Sequence, residues 1–391
     1  ESCENRGNRT LGGMSGQGGV ASGVGRQIEP LVPYEIPSYG GGVYCAADST
    51  VKFTGCTFED NIASETEDPA NPNHSLSPYR GYGGGVCAEN SSLVSFTDCN
   101  FVDNQADTGG GIYVGDTHTS IIDCNIASNE ALRGGGFFGV RGQIDIKRSD
   151  VANNQAVLDV NDPNDDDVLS IGAGLCFWSV NANIFDCSIR GNRAQASGGG
   201  AYLRGDNESV IRNCLIINNA AGRDGGGVSV NWYARPTVAN CTFSGNAASG
   251  AEGERGNTGL GGALYCGYDS IVAVTDSIFW NNFGLRGQEI AVGGGFVLDP
   301  RCGTVMVRNS DVKSSLNHVW TDPNCVLSLK SSDGNIDDDP LFVSGYYLSQ
   351  TGAGQSRTSP CVNSGSDYAS HVGLLGYTTR TDHFRDIDIV D

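Results

Sequence analysis

The feature that most constrains this chain is a short segment of the form Cys/Ser-x-apolar-x-x-Asn-x-Ala. Its first position falls at Cys56, Cys99, Cys124, Ser149, Cys187, Cys214, Cys241 and Ser277, and its Asn follows five residues later every time, at Asn61, Asn104, Asn129, Asn154, Asn192, Asn219, Asn246 and Asn282. Only the last copy departs at its final position, where Gly284 replaces Ala. A fixed internal spacing with variable distance between copies marks a solenoid, in which each copy stacks on the one before. Cys3 and Asn8 repeat the same step, so a further half-copy opens the chain.

A glycine-rich corner precedes each copy and sets the period. Gly83 to Gly109 is 26 residues, Gly109 to Gly134 is 25, Gly172 to Gly198 is 26 and Gly198 to Gly225 is 27. Within a period the apolar residues step by two, as in strands. One apolar column follows the corner (Val43, Val86, Ile112, Phe137, Leu175, Ala201, Val228, Leu264). A second precedes the Cys/Ser column by three (Phe53, Phe96, Ile121, Ile146, Ile184, Ile211, Val238, Val274). A third follows it by two (Phe58, Phe101, Ile126, Val151, Ile189, Ile216, Phe243, Phe279). Each period therefore offers three short strands joined by Gly, Asn and Asp turns. No window carries a sustained helical period with caps. A leucine-rich repeat would need several Leu at fixed places, where these copies use Val, Ile, Phe and Gly.

The predicted fold is all-β: a right-handed parallel β-helix of about nine coils, roughly 40–45 Å long at strand spacing. Residues 1–39 form an open part-coil and connection, residues 40–319 the β-helix, and residues 320–391 a C-terminal cap of the kind solenoids use over their last coil. In stacked coils the Asn column (Asn61, Asn104, Asn129, Asn154, Asn192, Asn219, Asn246, Asn282) runs amide to amide along the rod, a structural role before any ligand role. The corners lack the lysine and helix start of a phosphate loop. A weaker coil follows at Val305, Val307, Ser310 and Val312, with Ser315 in the Asn place.

Charge and cysteine narrow the partners. A net charge of −21 with 24 Lys and Arg excludes nucleic acid and favours an acidic surface with cations. The sequence contains no transmembrane run, and it begins at Glu1 as a processed form or a fragment would. Fourteen cysteines without a paired C-x-x-C pattern point to a secreted or cell-surface protein with disulfides. The columns at Cys56, Cys99 and Cys124 and at Cys187, Cys214 and Cys241 suit neighbouring-coil pairs and buried thiols equally, since three cannot pair among themselves. Sequons stand at Asn8, Asn73, Asn90, Asn207 and Asn240.

Candidate sites lie where the period is broken or the side chain turns outward. Three insertions (residues 64–82, 157–171 and 249–260) all fall before a Gly corner and so project from one corner of the rod. In the second, Asp162, Asp165, Asp166 and Asp167 are oxygen ligands suited to calcium, against the plainer reading of a solvated acidic loop. No cofactor is required, and calcium is the one cation this composition invites. The residue after the inward corner column points outward and is aromatic at Tyr44, Tyr113, Phe138, Tyr202 and Tyr265, with Trp178 on the same side. Such a strip serves contact with protein or with glycan.

The Gly-Gly-[Gly/Ala]-apolar corners with Phe58 and Asn61, Phe101 and Asn104, Phe243 and Asn246, and Phe279 and Asn282 resemble the repeats of chlamydial polymorphic outer-membrane proteins. The tail, with Gly334-Asn335-Ile336-Asp337, Ser359-Pro360-Cys361-Val362 and Gly376-Tyr377-Thr378-Thr379-Arg380-Thr381-Asp382, is similar to large secreted β-helix proteins of planctomycete-type bacteria. The resemblance implies a bacterial surface β-helix linked to adhesion. Catalysis by a β-helix would need acid and base residues brought together on neighbouring coils. Asp98, Asp123, Asp186 and Asp276 share a column, but Gly55, Arg148, Asn213 and Asn240 share it too, which is turn chemistry. None of the five His stands in a Gly-His-Gly segment. The expected function is therefore non-enzymatic: a secreted structural or adhesive solenoid that self-associates end to end into filaments or binds cell-surface components. The alternative is a polysaccharide-binding or polysaccharide-degrading β-helix, a lyase or hydrolase.

Overall fold

The computed structural model describes residues 4–6, 9–11, 38–45, 47–64, 81–90, 93–157, 170–250, 259–294, 301–315, 317–372, 374, 377–384 and 389–390. They form a parallel β-helix. Three long sheets run its length: one of ten strands, one of nine, and one of eighteen in which most coils contribute two strands separated by a bend and two coils a single long strand, Ile112–Ile122 and Phe137–Lys147. The coil that starts at Gly83 shows the pattern, with strands Val86–Glu89 and Leu93–Thr97 in the wide sheet, Asn100–Val102 in the second and Gln105–Ala106 in the third. Each of the four pairs in parallel, residue for residue, with its counterpart one coil on. Of the opening half-copy, Cys3 and Asn8 lie outside the described residues, and the strands beside them continue the sheets. Glu4–Arg6 pairs with Thr57–Glu59, and Arg9–Leu11 with Ile62–Ser64.

One backbone device turns the chain at every corner, a single residue in the left-handed region. It is Gly at the first corner (Gly40 through Gly287, φ from 61° to 73°). Before the Cys/Ser column it is Gly55, Asp98, Asp123, Arg148, Asp186, Asn213, Asn240, Asp276 and Asn309, with φ from 48° to 62°. Before the Asn column it is Asp60, Asp103, Ser128, Asn153, Gly191, Asn218, Gly245 and Asn281, with φ from 55° to 67°. Gly, Asn and Asp adopt this conformation at least cost, which is why they crowd these columns. At Gly83 the demand is also steric, since a Cβ there would stand 2.2 Å from the Val86 carbonyl oxygen.

All three predicted apolar columns point into the lumen and are buried. Their aromatic members stack between coils, with Phe58 and Phe101 at 4.8 Å and Phe243 and Phe279 at 4.4 Å between ring centroids. The Asn column is buried throughout. Asn192 is typical. Its Nδ2 donates to Asn219 Oδ1 and to the Val151 carbonyl, both at 2.9 Å, while its Oδ1 accepts from the backbone N and the Nδ2 of Asn154. Every hydrogen-bonding atom of the carboxamide is used, as burial requires.

The Cys/Ser column works the same way. Cys99 N donates to Cys124 Sγ, Cys124 N to Ser149 Oγ, Cys241 N to Ser277 Oγ and Ser277 N to Ser310 Oγ. A thiol and a hydroxyl both accept here, so Cys and Ser interchange. Cys99, Cys124, Cys187, Cys214 and Cys241 are buried thiols outside any disulfide. Burial holds the Cys214 thiol well above its ordinary range, which suits packing rather than reactivity. A disulfide joins Cys302 to Cys325 across two late coils.

The C-terminal region differs from a lid over the last coil. Parallel pairing runs on beyond residue 319, through Val319–Thr321 and Val326–Leu329. The chain then turns back, and the described residues between 341 and 390 lie as a strap along the flank. Leu348 and Cys361, with Phe342 and Val362, pack on Ile278, Trp280 and Ile336. Ser366 donates from N and Oγ to Asp276 at 2.6 and 2.7 Å, and Tyr377 hydrogen-bonds Asp186 still further back. Outward apolar residues such as Ile278 and Trp280 give the strap this seat. Among the described residues no helix is long and apolar enough to cross a membrane.

Candidate functional site: an aromatic and arginine ladder on the outer face

The aromatic strip leaves the lumen as predicted, but most of it is roofed. Tyr113, Phe138, Tyr202 and Tyr265 are 8, 3, 3 and 5% exposed, and only Tyr44, at 37%, is open. The roof comes from residues just before each Gly corner. Tyr39, Tyr82, Ile171 and Ala196 close over Tyr113, Phe138 and Tyr202, with Cys87 and Cys176 between them. Leu260, Ala291 and Trp320 do the same for Tyr265. This pre-corner segment forms its own parallel column, Ser38–Tyr39 with Gly81–Tyr82, then Tyr82, Thr108, Arg133 and Ile171 bridged in turn. The signal for it was in the sequence as apolar residues at Tyr39, Tyr82, Ile171 and Leu260, each preceding a glycine corner. Burial, then the neighbouring Glu89 carboxylate, raises the Tyr113 hydroxyl far above the ordinary tyrosine range.

The strip comes to the surface further along the rod, at the bend of the wide sheet. Phe138 meets Trp178 edge to face at 5.3 Å. Val140, Trp178, Arg204 and Asn231 are register partners on successive strands. The Arg133 and Arg204 guanidinium groups lie 5.0 and 5.1 Å from the Trp178 ring. Arg204 is also 5.1 Å from Trp232, and Arg301 is 4.7 Å from Trp232. Trp232 stacks on Tyr268 at 4.6 Å, and Arg301 donates to the Tyr233 hydroxyl at 2.9 Å. Trp178, Arg204, Trp232 and Tyr268 are half-buried, and Tyr233 is 43% exposed. Trp178, Arg204, Trp232 and Tyr268 thus follow one another at one coil per step over four coils, about 14 Å at strand spacing, with the Arg204 guanidinium between two rings. Of this ladder the sequence reading singled out Trp178 alone. Trp232, Tyr233 and Tyr268 lie where the step-of-two pattern breaks into a bend.

Several carboxylates on the outer surface are paired between coils or held in turns. Asp116 and Arg141, Asp123 and Arg148, and Asp150 and Arg190 form bidentate clamps between neighbouring coils. Asp186 accepts from Asn213 Nδ2, and Asp276 is held by Ser366. Each member of this column has left-handed backbone, so the turn reading stands. Asp337 accepts from Ser314 N and Oγ, and Asp339 from Leu341 N, as turn residues do. Among the described residues no three His, Cys, Asp or Glu side chains gather as a metal cage. The calcium candidates Asp162, Asp165, Asp166 and Asp167 lie outside the described residues.

At the far end the Asn column stops differently from the pattern. Ser315 is exposed, and Asn282 instead donates to Glu289, a wholly buried carboxyl that enters from the third corner position. At the other coils that position faces the carboxamide and is mostly Gly; a Cβ on Gly85 would lie 3.3 Å from Asn104 Cγ. Burial raises the Glu289 carboxyl to about 7. Burial also raises Asp311, beside Cys361 Sγ and the Asp338 amide, to about 7.

With this geometry in view, a family model described as the right handed beta helix region matches residues 164–335. The chain is a right-handed parallel β-helix, the class that its stacked parallel sheets and this match define together. No curated protein matches, and no solved structure matches.

Proposed function

We propose that this protein is a non-catalytic adhesive solenoid of the cell surface or extracellular space, and that it holds an extended glycan along the ladder of Trp178, Arg204, Trp232, Tyr233 and Tyr268. The observation that carries this reading is the half-open row of Trp178, Arg204, Trp232 and Tyr268, one coil apart, with a guanidinium between two indole rings. Aromatic faces stack on the C–H faces of sugar rings, and an arginine between them pairs with a uronate or sulfate. On a chain of net charge −21, the Arg204 guanidinium set between two indole rings favours an anionic polymer at that place. The coil-to-coil clamps on the surface carboxylates support binding over cleavage, because paired acids are poor general acids and bases. The Cys302–Cys325 disulfide supports an oxidising compartment, and the resemblance to bacterial surface β-helix proteins points the same way.

The test is binding of polygalacturonate, alginate and dextran by the whole chain, with product analysis for cleavage. We expect the two anionic polymers to bind without being cleaved and dextran to bind weakly. Trp232→Ala is expected to weaken binding by about tenfold or more at unchanged melting temperature, the scale of one lost stacking contact. Absence of polymer binding, or equal binding by W232A, would sink the reading. Accumulating cleavage products would establish the enzymatic alternative.

A further inference from the structure

Arg301 reaches the ladder by a route the repeat does not supply. Val140, Trp178, Arg204 and Asn231 come to the bend as register partners on successive strands. Arg301 lies outside the strands, next to Cys302. Cys302 makes an isolated antiparallel bridge with Gly294 and a disulfide with Cys325, and Gly303 N donates to the Gly293 carbonyl at 3.1 Å. The Gly294 amide donates to Asp322 Oδ2 at 2.9 Å, and Cys325 N to the Asp322 carbonyl at 2.9 Å. The segment that carries Arg301 is therefore pinned to the turn after strand Val319–Thr321.

What this brings to the ladder is a corner suited to a carboxylate. The Arg301 guanidinium lies 4.7 Å from the Trp232 ring and 5.9 Å from the Tyr233 ring, and it donates to the Tyr233 hydroxyl at 2.9 Å. A phenol that accepts in this way keeps its own proton for an outside acceptor. Arg301 and Trp232 are half-buried and Tyr233 is 43% exposed, so solvent and ligand reach the corner. A guanidinium and a phenolic O–H thus converge beside an indole face, and guanidinium groups hold carboxylates through charge-assisted hydrogen bonds. Trp232 and Tyr233 also sit at φ of 56° and 71°. Two bulky residues in succession in the left-handed region carry a backbone cost, and strain of this kind clusters at ligand sites.

We propose that Arg301, with the Tyr233 hydroxyl, recognises the acid group of the bound polymer, and that the Cys302–Cys325 disulfide positions it. The assignment rests on the glycan reading of the ladder and adds its specificity: a uronate carboxylate at this corner, with the sugar ring against Trp232.

The test is calorimetric binding by the whole chain of polygalacturonate and of the same polymer methyl-esterified, at one fixed salt concentration. Wild-type protein is expected to bind the acid form about tenfold more tightly, the scale of one charge-assisted hydrogen-bonded contact. R301Q is expected to bind both forms alike, at the wild-type affinity for the ester, and W232A to weaken both. C302S/C325S removes the disulfide without leaving a lone thiol. It is expected to weaken the acid form about fivefold, the scale of ordering one long side chain afresh, and to leave the ester unchanged. Ester binding at the wild-type level reports that the ladder is folded in each variant. In the R301Q background C302S/C325S is expected to add no further loss, because the two changes act through one contact. Binding of neither polymer by the wild-type protein would sink the ladder reading and this assignment with it. Binding of both, with the preference for the acid retained in R301Q, would leave the ladder standing and overturn the role of Arg301. Additive losses in the combined variant would overturn the positioning role of the disulfide.

Discussion

Asn192 and Asn240 are the same side chain in two settings. Inside the rod, Asn192 uses both amide protons and accepts twice, and every partner is supplied by a neighbouring coil. On the flank, Asn240 occupies a corner whose backbone it suits, yet neither of its amide atoms is paired. The lumen leaves nothing for a ligand to add. The flank closes that chemistry away from any ligand, whereas the bend leaves side chains open, so the bend is the place to seek function.

That contrast can be broken most severely from inside. Asn192→Leu would strip Asn154 N and Nδ2 of their acceptor and leave buried carbonyl and amide groups unmet. At about 1–3 kcal/mol for each unsatisfied group, a loss on the order of 4 kcal/mol follows, read as a fall in the urea midpoint followed by circular dichroism. A shift comparable to that of a surface variant would mean the column is not the spine it is taken for.

The next effect sits at the end of the same column. Glu289 is faced by Asn282, His318, Lys313 and Asp311, and its folded pKa is raised by burial from 4.5 to about 7. Its contribution to stability is therefore full below the unfolded value and is lost as pH rises through about 7, a change on the order of 3 kcal/mol. Asp311 has the same sign. Glu289→Gln keeps an acceptor for Asn282 without the charge. It is expected to flatten part of the decline in melting temperature between about pH 5 and pH 8 and to leave the share due to Asp311. Parallel curves for the two proteins would remove Glu289 from the account.

A gentler change sharpens the contrast from outside. Asp276→Ala removes the acceptor for Ser366 N and Oγ at the strap. We expect a cost of about 1 kcal/mol, with faster amide hydrogen exchange confined to residues 341–390 and unchanged protection in the coils. Loss of protection throughout would show that strap and rod unfold as one.

The lumen was readable in the sequence because stacking makes each coil repeat the burial of the last. Val151, Ile189 and Ile216 are successive register partners and all fully buried. The roof over Tyr113 and Phe138 was harder to see. Its column mixes Tyr39, Tyr82, Thr108, Arg133 and Ile171, so no single residue type marks it. The bend residues Trp232 and Tyr233 have left-handed backbone with large side chains, contrary to ordinary preference, and local propensity hides them. The strap has no period at all, and Glu289 reaches the Asn column from a corner rather than from the place the spacing assigns. In each case the missing information is a contact between parts of the chain that do not repeat.

The asparagine column also has a direction. From Asn61 to Asn282 every hydrogen bond from one carboxamide to the next runs from Nδ2 to the Oδ1 on the C-terminal side. Bond dipoles aligned head to tail add, as peptide dipoles do along an α-helix, and the sum leaves its positive end at Asn282. Glu289 is buried at that end and takes hydrogen bonds from Asn282 N and Nδ2. It stands to this column as an acidic residue stands to a helix N-terminus. The rod is thus electrically polar along its axis even where its surface charge is uniform, and its two ends are unlike before any surface residue is considered.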